Sequence, residues 1–177
     1  WEFVLIDEKD SNGDLIKNAC CMPGGKIAFY TGILPIANNH DGIASIMGHE
    51  IGHAFARHTV EKLTQHSIIS LGTKGIMKTK YGQVVGNNPD LYNNLLQYGF
   101  MLPFSRTMEK EADYMGLVFM NLSGYNLKES VEVWKRMQIA NKGKNPPEFM
   151  NSHPSPENRI NNIEEWIFEV KKNYPTA

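Results

Sequence analysis

The stretch IMGHEIGHAFARH, Ile46 to His58, concentrates three histidines and a glutamate into thirteen residues of a chain that holds six histidines in all. His49, Glu50 and His53 within it read H-E-x-x-H. On a helix, residues four apart lie one above the other, about 6 Å along the axis, so both imidazoles can converge on one ion. Zinc accepts neutral imidazole nitrogens at about 2.0 to 2.1 Å, which suits that spacing. Glu50 is rotated by roughly 100° from His49. It does not readily share the ion, yet it reaches a water held there.

The local sequence favours a helix for this stretch. Asn39, His40 and Asp41 form a capping cluster, and neither Pro nor a Gly pair interrupts the chain afterwards, so one long helix from Asp41 to about His66 is expected. Gly42, Gly48 and Gly52 each weaken such a helix by roughly 1 kcal/mol relative to Ala, which points to close packing. His58 falls nine positions after His49, about 900° of rotation, so a continuous helix turns it away from the ion. A surface or capping role is expected for it, as for His40 and His66.

Two protein ligands do not make a catalytic zinc site, which normally has three and keeps one position open. The run SRTMEKEADYMG, Ser105 to Gly116, offers the missing carboxylate on a helix that Ser105 can cap. Glu109 and Asp113 are four apart and share a face, whereas Glu111 lies about 200° from Glu109. One of the pair can ligate while the other orients a ligating histidine, and spacing does not decide between them. An acidic run of this kind also suits a solvated helix face.

The rest of the chain frames these motifs. With 177 residues and 41% hydrophobic content, the expectation is a single domain over residues 1–177 with a real core. Eighteen basic and 19 acidic residues nearly cancel, leaving no basic footprint for nucleic acid. No run of 18 apolar residues suggests a membrane span. Phe3 to Ile6 and Lys26 to Thr31 read as strands between turn formers. Leu71 to Asn94, rich in Gly, Asn and Lys, reads as an irregular loop suited to covering a cleft. Helices are expected from Ser105 to about Asn121, from Asn126 or Ser130 to about Ala140, and after Pro156, where Ile160, Ile163, Ile167 and Val170 recur at helical spacing. Cys20 and Cys21 are adjacent, which disfavours a disulfide or a zinc knuckle and suggests packed thiols.

Four motifs in order, PGGKIAFYTGIL, GHEIGHAFARH, FSRTMEKEADYMG and SHPSPENRI, resemble the HtpX, CAAX prenyl protease and Oma-type family of zinc metallopeptidases, metallopeptidase family 48. The resemblance runs from Trp1 to about Ile163. It implies a helix-dominated α+β, zincin-like domain with a small antiparallel sheet whose edge strand faces the active-site helix. That edge strand falls on Lys26, Ile27, Ala28, Phe29 and Tyr30, which would pair with extended substrate. The family is one of gluzincins, in which a glutamate completes the site. It therefore implies one Zn2+ held by His49, His53 and Glu109, with Asp113 as supporting carboxylate. Glu50 is then the general base, and His153, in the HP motif, the best candidate donor to the oxyanion. Arg159, one turn into the last helix, could pair with a carboxylate of the site.

The activity implied is endopeptidase cleavage of unfolded or extended polypeptides in protein quality control. The alternatives are a latent or scaffolding zinc domain and a zinc hydrolase of non-peptide amides. The chain opens abruptly on an apolar run without an initiator Met, so loss of an N-terminal segment is expected, and with it a possible signal, lipid anchor or membrane helix. Lacking membrane helices between its motifs, the chain resembles the soluble bacterial branch, which implies the periplasm or the periplasmic side of a membrane.

Overall fold

A computed structural model describes residues 1–22, 24–62, 64, 103–144, 146–154 and 158–176. The expected loop Leu71–Asn94, His66 and the start of the last helix at Pro156 lie outside them.

Strands β1 (Glu2–Ile6), β2 (Ala19–Met22) and β3 (Lys26–Tyr30) form one sheet in the order β1-β3-β2. β3 runs parallel to β1 and antiparallel to β2, so the sheet is mixed rather than antiparallel. Lys26–Tyr30 is also its central strand and not an edge. Its backbone is hydrogen-bonded on both sides, from Glu2↔Lys26 to Ile6↔Tyr30 and from Ala19↔Phe29 to Met22↔Lys26, which leaves no edge for a substrate. The strand that packs on the helix of the H-E-x-x-H motif is β2, whose sequence ACCM carries too little alternation to be read as a strand. Cys20 is half-buried and Cys21 buried in it, both as free thiols.

A 3-10 turn, Thr31–Ile33, and the short helix α1 (Leu34–Ala37) lead into α2 (His40–Phe55), capped by Asn39, whose Oδ1 accepts from the Gly42 amide at 2.9 Å. α3 (Arg106–Leu122), α4 (Lys128–Asn141), α5 (Phe149–Ser152) and α6 (Arg159–Asn173) follow. Ser105 caps α3 as expected, its Oγ accepting from the Met108 amide. Among the described residues no helix is long and apolar enough to cross a membrane. The core, with Ile27, Phe29, Ile33, Ile46, Leu117, Trp134, Met137, Phe149 and Ile163 buried in it, joins the sheet to all the helices. The fold is thus the helix-rich α+β class expected, organised around α2.

α2 is shorter than expected. It stops at Phe55, and after Ala56 the chain passes through Arg57 at φ 59°, a left-handed conformation that ends a helix, before a second helical segment over 58–62. The expectation of one helix to about His66 fails because Arg57 adopts a turn that spacing alone does not forbid.

α2 packs most extensively against α3, and their backbones nearly touch. A Cβ on Gly52 would lie 2.8 Å from the Ala112 carbonyl oxygen, and one on Gly48 would lie 3.0 Å from that of Gly116. Both obstacles are main chain, so neither can rotate away. A Gly52→Ala substitution should therefore force α2 and α3 apart and destabilise the protein by about 1–3 kcal/mol despite the better helix propensity of Ala, a loss that urea unfolding would measure.

Candidate metal centre

The α2–α3 crossing sets His49, Glu50 and His53 against Glu109 and Asp113, and the segment after α5 adds His153. All six side chains are buried. Ligand atoms of His49, His53, Glu109 and His153 lie within 4.8 Å of one another. His49 Nε2 is 3.0 Å from His53 Nε2 and 3.1 Å from His153 Nδ1. Glu109 Oε1 is 3.2 Å from His53 Nε2 and 3.0 Å from His153 Nδ1.

The surroundings decide where the protons sit. A carboxylate only accepts, so His49 Nδ1 donates to Asp113 Oδ1 at 2.9 Å, which in the neutral ring leaves a lone pair on Nε2 facing the cluster. Two imidazole nitrogens in contact at 3.0 Å and a carboxylate oxygen converging with them form a donor set of the kind that binds zinc. Glu50 Oε1 is buried without a hydrogen-bond partner among the described residues, although His153 Nε2 lies 3.4 Å away. An ion with a water beside it would satisfy that oxygen, so the residues present fit zinc.

Burial and charge sort the titrating groups. Burial raises the Glu50 pKa, opposed by His153 and His49 and by a backbone contribution from Cys21 on β2. For Glu109 burial acts in the same direction but is outweighed by His153 and His49, so its carboxylate stays charged well below the usual range. Burial holds His53 neutral, its pKa well below the ordinary value. Burial also opposes protonation of His49, yet Glu109 and Asp113 overcome it and raise its pKa. A proton-accepting carboxylate beside a neutral imidazole and a charged glutamate is a suitable arrangement for metal-assisted hydrolysis.

Arg159, on α6 and buried, joins the two carboxylates of α3. Its Nη2 donates to Asp113 Oδ1 at 2.7 Å, and its Nη1 lies 2.8 Å from Glu109 Oε2. The guanidinium stacks 3.4 Å over Trp134. Aromatic rings enclose the histidines: Phe104 stacks on His53 at 3.9 Å and Phe149 on His153 at 4.3 Å. Lys62 places its Nζ 3.5 Å over Phe104, and burial brings its pKa down to about 8. Of these aromatic partners Phe104 opens the FSRTMEKEADYMG motif, whereas Trp134 and Phe149 sit in parts of the sequence with no motif of their own.

The structure departs from the expectation for His58. The turn at Arg57 brings it back into the interior, where its Nδ1 lies 3.0 Å from His53 Nδ1 and its Nε2 3.2 Å from Glu111 Oε2. Only a helix continuous through residue 58 would turn it outward.

The model of peptidase family M48 matches residues 1–167. The chain is 35% identical to mitochondrial metalloendopeptidase OMA1 of Saccharomyces cerevisiae over 180 residues, covering 98% of this chain and 49% of that protein. It is likewise 35% identical to its namesake in Schizosaccharomyces pombe, with 100% and 50% covered, and 26% identical to the beta-barrel assembly-enhancing protease of Escherichia coli, with 90% and 33% covered. The chain belongs to peptidase family M48. It spans about half the length of the fungal relatives it matches. The expected bacterial periplasm is overturned, because the relatives at 33% to 35% identity are mitochondrial by name, and the soluble bacterial branch is not borne out.

Removing Arg159 should strand two buried carboxylates. Arg159→Met is expected to destabilise the metal-free protein by about 3–5 kcal/mol, read as a lower urea midpoint.

Proposed function

We propose that this M48 chain forms the catalytic part of a zinc-dependent endopeptidase, read as a single metallopeptidase domain. The observation that carries the proposal is the buried convergence of His49, His53 and Glu109 beside the unpartnered Glu50 oxygen. These three residues hold one zinc, which when bound activates water and polarises the scissile carbonyl. Glu50 takes the proton from the attacking water and returns it to the leaving amine, a task suited to its raised pKa. Asp113 fixes the His49 tautomer, and Arg159 holds Asp113 and Glu109 in place.

His153 is assigned the oxyanion donor, its Nε2 facing Glu50. Its Nδ1 within the ligand cluster favours a second reading, in which it fills the open position and holds the enzyme latent. Extended substrate pairs with the outer edge of β2, since β3 is enclosed on both sides. Main-chain pairing selects unfolded polypeptide over a particular sequence, consistent with protein quality control. The mitochondrial relatives support a mitochondrial location.

Zinc analysis with casein cleavage tests the reading. One zinc per chain is expected in both the parent and Glu50→Gln, with cleavage lost only in the variant. Cleavage by Glu50→Gln at the parent rate would end the mechanism, and a panel of protein and small-amide substrates would expose a non-peptide hydrolase. His153→Ala separates its two roles: a loss of about 10²–10³ in kcat marks the oxyanion donor, and a gain in activity marks the blocking ligand.

A further inference from the structure

Each ligating histidine needs its metal-facing nitrogen deprotonated, and the partner of the other nitrogen decides this. For His49 that partner is Asp113. For His53, among the described residues, no carboxylate is paired with Nδ1, and the atom that meets it is His58 Nδ1 at 3.0 Å. Two like nitrogens at that distance share one hydrogen, so one donates and the other accepts. The far side of His58 settles which. Its Nε2 faces Glu111 Oε2 at 3.2 Å, and a carboxylate only accepts, so Nε2 carries the proton. In neutral His58, Nδ1 is then the acceptor. His53 must donate from Nδ1, which leaves its Nε2 lone pair on the ligand cluster, 3.2 Å from Glu109 Oε1.

We infer that Glu111 and His58 form a relay that fixes the His53 tautomer for zinc binding, with His58 as a positioning residue. α3 thus supplies all three carboxylates: Glu109 to the ion, Asp113 directly to His49, and Glu111 to His53 through an intervening ring. The intervening ring is required because Glu111 lies on the outer flank of α3 and its side chain is 56% exposed. His58, buried to 2% exposure, bridges from that flank to the interior. The left-handed turn at Arg57 serves the same end, because a continuous α2 would carry residue 58 away.

The inference rests on the zinc reading, and the test separates the two. Nitrogen-15 NMR of the metal-free protein should show the His53 proton on Nδ1 in the parent and displaced from it in His58→Leu. Zinc affinity, by competition with a chromogenic chelator, should fall about 10–100-fold in His58→Leu, the usual effect of losing such a partner. His58→Asn, which returns an acceptor oxygen near the Nδ1 position, should recover most of the loss, whereas a merely space-filling role would not be rescued by a smaller polar side chain. Glu111→Ala should shift affinity in the same direction by less. A His53 proton on Nε2 in the parent would overturn the relay, as would parent-like zinc affinity in His58→Leu or a His58→Asn variant as weak as His58→Leu. Failure of the parent to bind zinc would sink the metal reading instead, and the metal-free tautomer would still test the relay.

Discussion

The close crossing of α2 and α3 is the constraint on which the site depends. Gly48 and Gly52 on one helix meet Ala112 and Gly116 on the other with main chain at 2.8 to 3.0 Å from where a side chain would begin. Helices separated by ordinary side chains sit about 8–10 Å apart, a distance at which imidazoles from one and a carboxylate from the other would struggle to share an ion. The glycines that weaken α2 as an isolated helix bring its histidines into contact with Glu109. Local instability is accepted in exchange for tertiary proximity, a common pattern at functional sites.

Bringing those groups together creates an electrostatic problem. Glu50, Glu109 and Asp113 are all buried, and burial alone would drive Glu50 and Glu109 toward their neutral forms. The solution is asymmetric. Arg159, stacked on Trp134 and buried with the carboxylates, spans Glu109 and Asp113 while leaving Glu50 unbridged. Beside that bridge His153 and His49 outweigh burial and hold Glu109 as an anion, whereas for Glu50 burial prevails and its pKa stays raised. Two chemically identical side chains are thus given opposite pKa shifts by what lies beside them.

The sheet contributes to this division from the other side. β2 rather than β3 approaches the helix, and the Cys21 backbone acts on the Glu50 carboxylate. β3 supplies the buried apolar residues Ile27, Ala28 and Phe29 that anchor the sheet to the core. The resemblance rightly indicated a strand near the site, but order within a sheet depends on pairings between distant segments that a run of β-branched residues does not encode.

His49, Glu50 and His53 were legible because ligand spacing on a helix is a local property, set by 3.6 residues per turn. The pairing of Glu109 with Asp113 was legible for the same reason, and the caps at Asn39 and Ser105 because they act within three residues. Which of the two carboxylates meets the histidine cluster depends on the other helix, and it is Glu109, the one that the family resemblance had put forward as ligand. The place of His58 was illegible, since one left-handed residue at Arg57 resets the rotation on which any angular argument relies. The double Arg159 bridge, where pairing with one carboxylate was expected, the stacking of Phe104 and Phe149 and the central position of β3 likewise arise only when segments far apart in the chain are packed together. Short-range geometry determined which side chains could serve a metal, and long-range packing decided which partners complete them.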